Sequence, residues 1–130
     1  MGNITIKKAD GTTDVTFTMI APSAGDDNPA LYRSLTTGGA PARQDSLEVY
    51  GKWNGAKTVR RVNQKFVRNY NVTDPNGVES RQGVVVVEIS VAAPTSVPQS
   101  HVDEAVAQSA NLYKAADIQS ACKTGYAPRT

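Results

Sequence analysis

The chain has one cysteine, one histidine, one tryptophan and two phenylalanines among 130 residues. Each scarcity removes a class of protein. With Cys122 alone, no intrachain disulfide can form, which excludes a small scaffold stapled by bridges. His101 stands at the start of a predicted helix, where an exposed helix-end residue is the plain reading. A His–Cys dyad would need an assisting motif, and none accompanies it. There is no Gly-x-Gly-x-x-Gly, no phosphate-binding loop, no His-Glu-x-x-His and no Cys-x-x-Cys. No apolar run approaches the ~20 residues of a membrane-spanning helix. The opening Met1-Gly2-Asn3-Ile4-Thr5-Ile6 lacks the apolar stretch of a signal peptide, and Ile6 stands where a myristoylation signal needs Ser or Thr. Without a secretory route, the glycosylation triplets Asn3-Ile4-Thr5 and Asn71-Val72-Thr73 are discounted. The expectation is a non-enzymatic protein with no cofactor, metal, membrane or small-molecule substrate.

What the chain does have is turns. Asp10-Gly11, Asn54-Gly55 and Asn76-Gly77 each separate runs that read as β-strand, and Asx-Gly is the strongest short-range hairpin signal because a two-residue type I′ turn needs positive φ twice. Ile4–Lys8 and Val15–Ile20 form a first hairpin. Pro22, Pro29, Gly38-Gly39 and Pro41 break the long connection that follows, within which Ala30–Leu35 has the pattern of a short strand. Ser46–Trp53 alternates clearly. A long strand over about Thr58–Val72 turns at Asp74-Pro75-Asn76-Gly77 and returns over about Ser80–Ala92. Pro94 and Pro98 then end the sheet. Ser100 reads as a helix N-cap with Asp103 in the first turn. Val102, Ala105, Val106, Ser109, Leu112, Tyr113 and Ala116 make a helical stripe. Ile118 falls off it, which predicts a break near Ala115–Asp117, a second short helix to about Cys122 and a polar tail over Lys123–Thr130.

The fold class is therefore α+β, a single domain over residues 1–130, with hairpin and antiparallel meander over 1–93 and helices over 99–123. Strands first and helices last place helix over one sheet face and leave the other free. Only 39% of residues are hydrophobic, a thin supply for a self-sufficient core. Either the chain is a monomer of modest stability, or it completes its core with a neighbour that also covers its exposed sheet edge.

The net charge of +2 says little, but its distribution says more. Arg43, Lys52, Lys57, Arg60, Arg61, Lys65 and Arg68 stand against only Asp45 and Glu48, a local excess of +5. Such a strand pair is either a solvated basic face or a surface for a polyanion. Alternation puts Ser46, Glu48, Tyr50 and Lys52 beside Arg61, Asn63 and Lys65, and beside Val84, Val86, Glu88 and Ser90. Cations there would neutralise phosphates, amides and hydroxyls would meet base edges, and Tyr50 could stack on a base. Asp26-Asp27 is an acidic loop pair of the kind that ordinarily stays solvated.

In element order and in several segments the chain resembles the coat proteins of single-stranded RNA bacteriophages, the levivirus family. The likeness runs through Gly2-Asn3-Ile4-Thr5, Ser34-Leu35-Thr36-Thr37-Gly38-Gly39-Ala40-Pro41, the strand Ser46–Lys52, the basic strand from Val59, the Asn76-Gly77 return, the terminal helices and Gly125-Tyr126. The resemblance implies an intertwined homodimer. Two sheets pair edge to edge, and each chain's helices pack on its partner's sheet. It implies dimers assembled into a T=3 icosahedral shell in the host bacterial cytoplasm, a virion location, and genomic RNA on the inward sheet face. It also implies repression of replicase translation through an RNA hairpin. The RNA-binding residues carried over by strand position are Glu48, Tyr50, Lys52, Arg61, Asn63, Lys65, Val86 and Glu88. One departure stands out: relatives commonly place an aromatic and an amide on the last strand, where this chain has Val84 and Val86. The loop that varies between symmetry environments corresponds to Val72–Gln82. The competing reading is a non-assembling cellular β-type module for single-stranded nucleic acid.

Overall fold

The computed structural model describes residues 2–35 and 41–128; the expectations resting on Thr36–Ala40, including Gly38-Gly39, lie outside them. Six strands form one sheet in the order β1-β2-β3-β4-β5-β6. They are β1 (Ile4–Lys7), β2 (Asp14–Ala21), β3 (Ala30–Arg33), β4 (Ser46–Trp53), β5 (Val59–Thr73) and β6 (Glu79–Pro94), and two helices follow, α1 (Gln99–Lys114) and α2 (Ala116–Thr124). The chain divides into two compact units, Met1–Ala92 and Ala93–Thr130.

The hairpins stand where the Asx-Gly pairs predict them, but their turns are not the two-residue type I′ form. Each is a longer loop that contains an organising Asx residue and one residue of positive φ. In the first, Gly11 N–H donates to the Lys8 carbonyl at 2.9 Å, and Gly11 has φ 74°. In the third, Gly77 N–H donates to Asp74 at 3.0 Å, with φ 83° at Gly77. The physical reason is that the Asx carboxylate or amide organises the loop. Asp10 Oδ1 accepts from the N–H groups of Thr12 and Thr13. Asn54 Oδ1 accepts from Thr58 and Val59. Asp74 Oδ1 accepts from Asn76 and Val78. The Thr13 and Thr12 hydrogen bonds hold the Asp10 carboxyl at about 2.

The middle turn places a lysine, not its glycine, in the left-handed region: Lys57 has φ 56°. A Cβ is disfavoured there. Lys57→Gly is therefore expected to stabilise the fold by about 0.5 kcal/mol, the strain relieved less the added unfolded-state freedom of glycine. A higher urea midpoint at unchanged slope is the readout, and a lower midpoint would contradict the assignment.

Register fixes the two sheet faces. Tyr32 pairs with Leu47, Leu47 with Phe66, Met19 with Tyr32 and Ile4 with Phe17, so all of these project to one side. On that side Phe17, Ala30, Tyr32 and Leu47 are buried, with Val15, Met19, Val49 and Phe66 packed against them. The Phe17 and Phe66 rings meet edge to face at 5.7 Å, although β3 and β4 lie between their strands. The core is as small as the composition predicts. Tyr70 and Val72 continue the apolar side along β5 but stay exposed, and Val85 and Ile89 of β6 are exposed as well.

The long connection between the second and third predicted strands is not structureless. β3 interrupts it and takes a central place between β2 and β4. A short 3-10 turn at Pro41–Arg43 precedes β4. Asp45, only 5% exposed, accepts the Asn69 N–H at 2.9 Å. The Asn69 and Asn71 amides donate to the Gln44 and Arg43 carbonyls, and Arg43 reaches Glu79 at 3.0 Å. These contacts fasten the entry of β4 to the far half of β5 and the start of β6.

In the second unit, α1 is capped at Pro98 rather than Ser100, without a side-chain cap. Pro98 is itself extended, with ψ 145°, and disfavours helix at the residue before it, so the helix starts at Gln99 and Ser100 falls inside the first turn. Gln99 there donates to Asp103 at 2.8 Å. The predicted break falls at Ala115, whose ψ of 141° is extended. α2 then ends on Gly125 at φ 85°, a left-handed stop that glycine takes without a Cβ clash. No described helix is long and apolar enough to cross a membrane.

Candidate nucleic-acid interface

The face opposite the core is built by the intervening positions. Glu48 lies opposite Lys65, Tyr50 opposite Asn63, Lys52 opposite Arg61 and Ser46 opposite Val67. Glu48, Tyr50, Asn63 and Lys65 line a shallow depression of about 400 Å³, together with Glu88 and Ser90 of β6 and the flanking Gln64 and Ile89. Five of the eight residues named from sequence thus share one surface feature contributed by three strands. Lys52 and Arg61 are cross-strand neighbours in the adjoining row, and Val86 precedes Glu88 by two on β6, on the same face by alternation.

Sequence reasoning missed Arg33. Its strand carried only a weak signal, yet β3 sits inside the sheet, and Arg33 pairs with Thr18 on one side and Ser46 on the other. It therefore extends the polar face by one cation. The only clue was the alternation Leu31, Tyr32, Arg33, too short to settle a face without a register. Asn69 and Asn71 share the alternation of Arg61 and Asn63, but their amides are committed to backbone carbonyls and they belong to the scaffold.

The basic excess is more structured than the sequence count of +5 implies. Four of its seven cations have a carboxylate partner: Arg43–Glu79, Lys52–Asp27, Arg60–Asp26 and Arg68–Asp45. The expectation that Asp26-Asp27 stays merely solvated is corrected. Asp26 receives both guanidinium nitrogens of Arg60 at 2.7 Å, and this holds its carboxyl below the usual range. Arg60 also lies over the Trp53 ring at 5.4 Å. Gly51 leaves room for this arrangement, because a Cβ there would meet Arg60 Nη2 at 3.1 Å. Arg60 lies opposite Trp53 and so belongs to the core side, not the polar face. Among the described residues, no group of three or more His, Cys, Asp or Glu could hold a metal ion, and Cys122 is an exposed free thiol.

The arrangement can do electrostatics, hydrogen bonding and stacking. Arg61 and Lys65, which have no ion-pair partner among the described residues, flank the amide of Asn63 and the ring of Tyr50. Those are the groups that meet phosphates and unstacked bases.

No protein-family model matches this chain, and no curated protein matches it in sequence. Solved structures do match. The chain is similar to a virus-like particle of Beihai levi-like virus 21, at 17% identity and TM-score 0.84, covering 100% of this chain and 98% of that one. It is similar to the virus-like particle of bacteriophage NT-214, at 12% identity and TM-score 0.85, with 99% and 98% covered. It is also similar to the capsid protein of bacteriophage GA, at 19% identity and TM-score 0.75, with 96% and 95% covered. At these identities the likeness is one of fold, and it spans the sheet and both helices. An antiparallel sheet of six strands in chain order followed by two terminal helices is thus, in this chain, the levivirus coat protein fold.

Proposed function

We propose that this chain is a self-assembling shell protein of an RNA phage, located in the virion, whose sheet binds the single-stranded genome on its polar face. The observation that carries the reading is the asymmetry of the sheet. One side is apolar and incompletely buried; the other gathers Tyr50, Asn63, Arg61 and Lys65. The fold neighbours form virus-like particles and a capsid, which supports the assembly half of the proposal.

Dimerisation follows from the same asymmetry. β6 ends the strand order and is 16 residues long, an edge that invites a second sheet. Val85 on β6 is 60% exposed, and Leu112 on α1 is equally so. A twin subunit offers a matching edge and a matching helical stripe, and closed two-fold pairing satisfies both at once. General genome binding is favoured over reading of a single RNA hairpin. Val84 and Val86 provide neither a ring to stack on nor an amide to bond, so Tyr50 is the aromatic this part of the face offers among the described residues. Translational repression would then depend on Tyr50.

The test is to express the chain alone and examine it by size exclusion and negative-stain microscopy. Uniform hollow particles containing host RNA are the expected result. A small species that never assembles yet binds RNA would favour the non-assembling module instead. Particles that form without nucleic acid would remove the RNA half of the proposal.

A further inference from the structure

We propose that Asp27 is a built-in counter-ion that withholds Lys52 from RNA and so confines phosphate binding to Arg61 and Lys65. The inference rests on the reading of the polar face as an RNA interface. By position, Lys52 belongs with the binding cations, because it is the cross-strand neighbour of Arg61 on that face. Its ammonium nevertheless lies 3.9 Å from Asp27 Oδ1. No such carboxylate stands within ion-pair distance of Arg61 or Lys65 among the described residues.

The backbone of Asp27, which sets where its carboxylate starts from, is held in place independently of the ion pair. Asp27 N–H donates to the Gly51 carbonyl at 3.1 Å, and Asn28 N–H closes the loop on Gly25. Asp27 itself takes φ 65°, a conformation in which Asp and Asn are the most tolerated side-chain-bearing residues. The neighbouring Asp26 grips Arg60 with two hydrogen bonds of 2.7 Å, which anchors the loop against β5 on the core side. The loop between β2 and β3 therefore carries one anion to each side of the β4–β5 hairpin. A phosphate approaching Lys52 must displace Asp27 or accept its repulsion, whereas Arg61 and Lys65 have no carboxylate within ion-pair distance among the described residues, Glu48 standing opposite Lys65 without reaching it. Binding is thereby centred on the depression lined by Tyr50, Asn63 and Lys65, away from the hairpin end.

Asp27→Asn removes the charge and keeps both the left-handed backbone and the N–H bond to Gly51. Its affinity for a fluorescent oligouridine would be followed by anisotropy across a salt series, using the full-length chain. Relative to wild type, D27N is expected to bind about threefold more tightly at moderate salt. Its log–log salt slope should steepen by about 0.7, one additional phosphate on a single strand. K52A alone should change neither quantity appreciably, and in the D27N background it should abolish the gain. If K52A in the wild-type background flattens the slope by the full amount, or the gain survives in D27N/K52A, the counter-ion role is wrong. Wild-type binding with an unchanged D27N overturns this inference alone. A wild-type chain that does not bind oligouridine overturns the RNA reading with it.

Discussion

Phe17→Ala is expected to cost about 3–5 kcal/mol, the usual range for deleting a buried ring. That is a large fraction of the roughly 5–15 kcal/mol that holds a domain together. Phe17 is 3% exposed and is one of four buried hydrophobic residues among those described. Its ring also supplies the edge-to-face partner of Phe66, so truncation leaves β5 without its contact across the sheet. The smallness of the core makes the effect severe, because few other side chains can close over the cavity. The expected result is loss of soluble chain, or a thermal midpoint lowered by tens of degrees where soluble protein survives. Phe17→Leu, which keeps most of the volume, should recover much of the loss. If Phe17→Ala melts within a few degrees of wild type, the packing assigned to β2 is mistaken.

The second large effect concerns Arg61 and Lys65. Replacing both by alanine should lower affinity for single-stranded RNA roughly 10- to 100-fold at physiological salt, and should flatten the log–log salt slope by about 1.4. Neither side chain has a carboxylate partner among the described residues, and both are exposed on the polar face. Their removal should therefore leave folding and subunit association intact, and size exclusion reads that directly. The loss should be uniform across RNA sequences, since phosphate contacts carry no base information. The Tyr50→Ala variant differs in kind: it should leave the salt slope unchanged while weakening binding through lost stacking. An unaltered slope in the double variant would remove the β5 cations from the interface.

The elements legible in the sequence were those with strong local periodicity. Ser46–Trp53 forms with the bounds its alternation predicts. The two long strands and the helix break at Ala115 lie where the pattern puts them. Period-two alternation assigned Glu48, Tyr50, Lys52, Arg61, Asn63 and Lys65 to one face, and the register agrees. Turn location was readable, but turn type was not. Asp10, Asn54 and Asp74 accept hydrogen bonds from two to five residues ahead, and this draws the loops out beyond the two-residue form that Asx-Gly suggests. The cap of α1 was misplaced for a related reason. Ser100 has the right side chain, but the helix already begins at Gln99, directly after the extended Pro98.

Net charge was the feature that sequence reading handled least well. A stretch counted as +5 is partly neutralised by Asp26, Asp27 and Glu79, residues far along the chain and outside that count. Arg33 joined the polar face only because β3 inserts beside β4.

Strand periodicity and turn chemistry are local, acting over a few residues, and so the amino-acid order alone determined the long strands, the faces of β4 and β5 and the thinness of the core. Which carboxylate meets which cation depends on loops brought together over twenty or more residues. Tertiary structure alone decided that Lys52 and Arg60 face Asp27 and Asp26 while Arg61 and Lys65 have no ion-pair partner among the described residues, because Coulomb attraction depends on distance in space and not on separation along the chain.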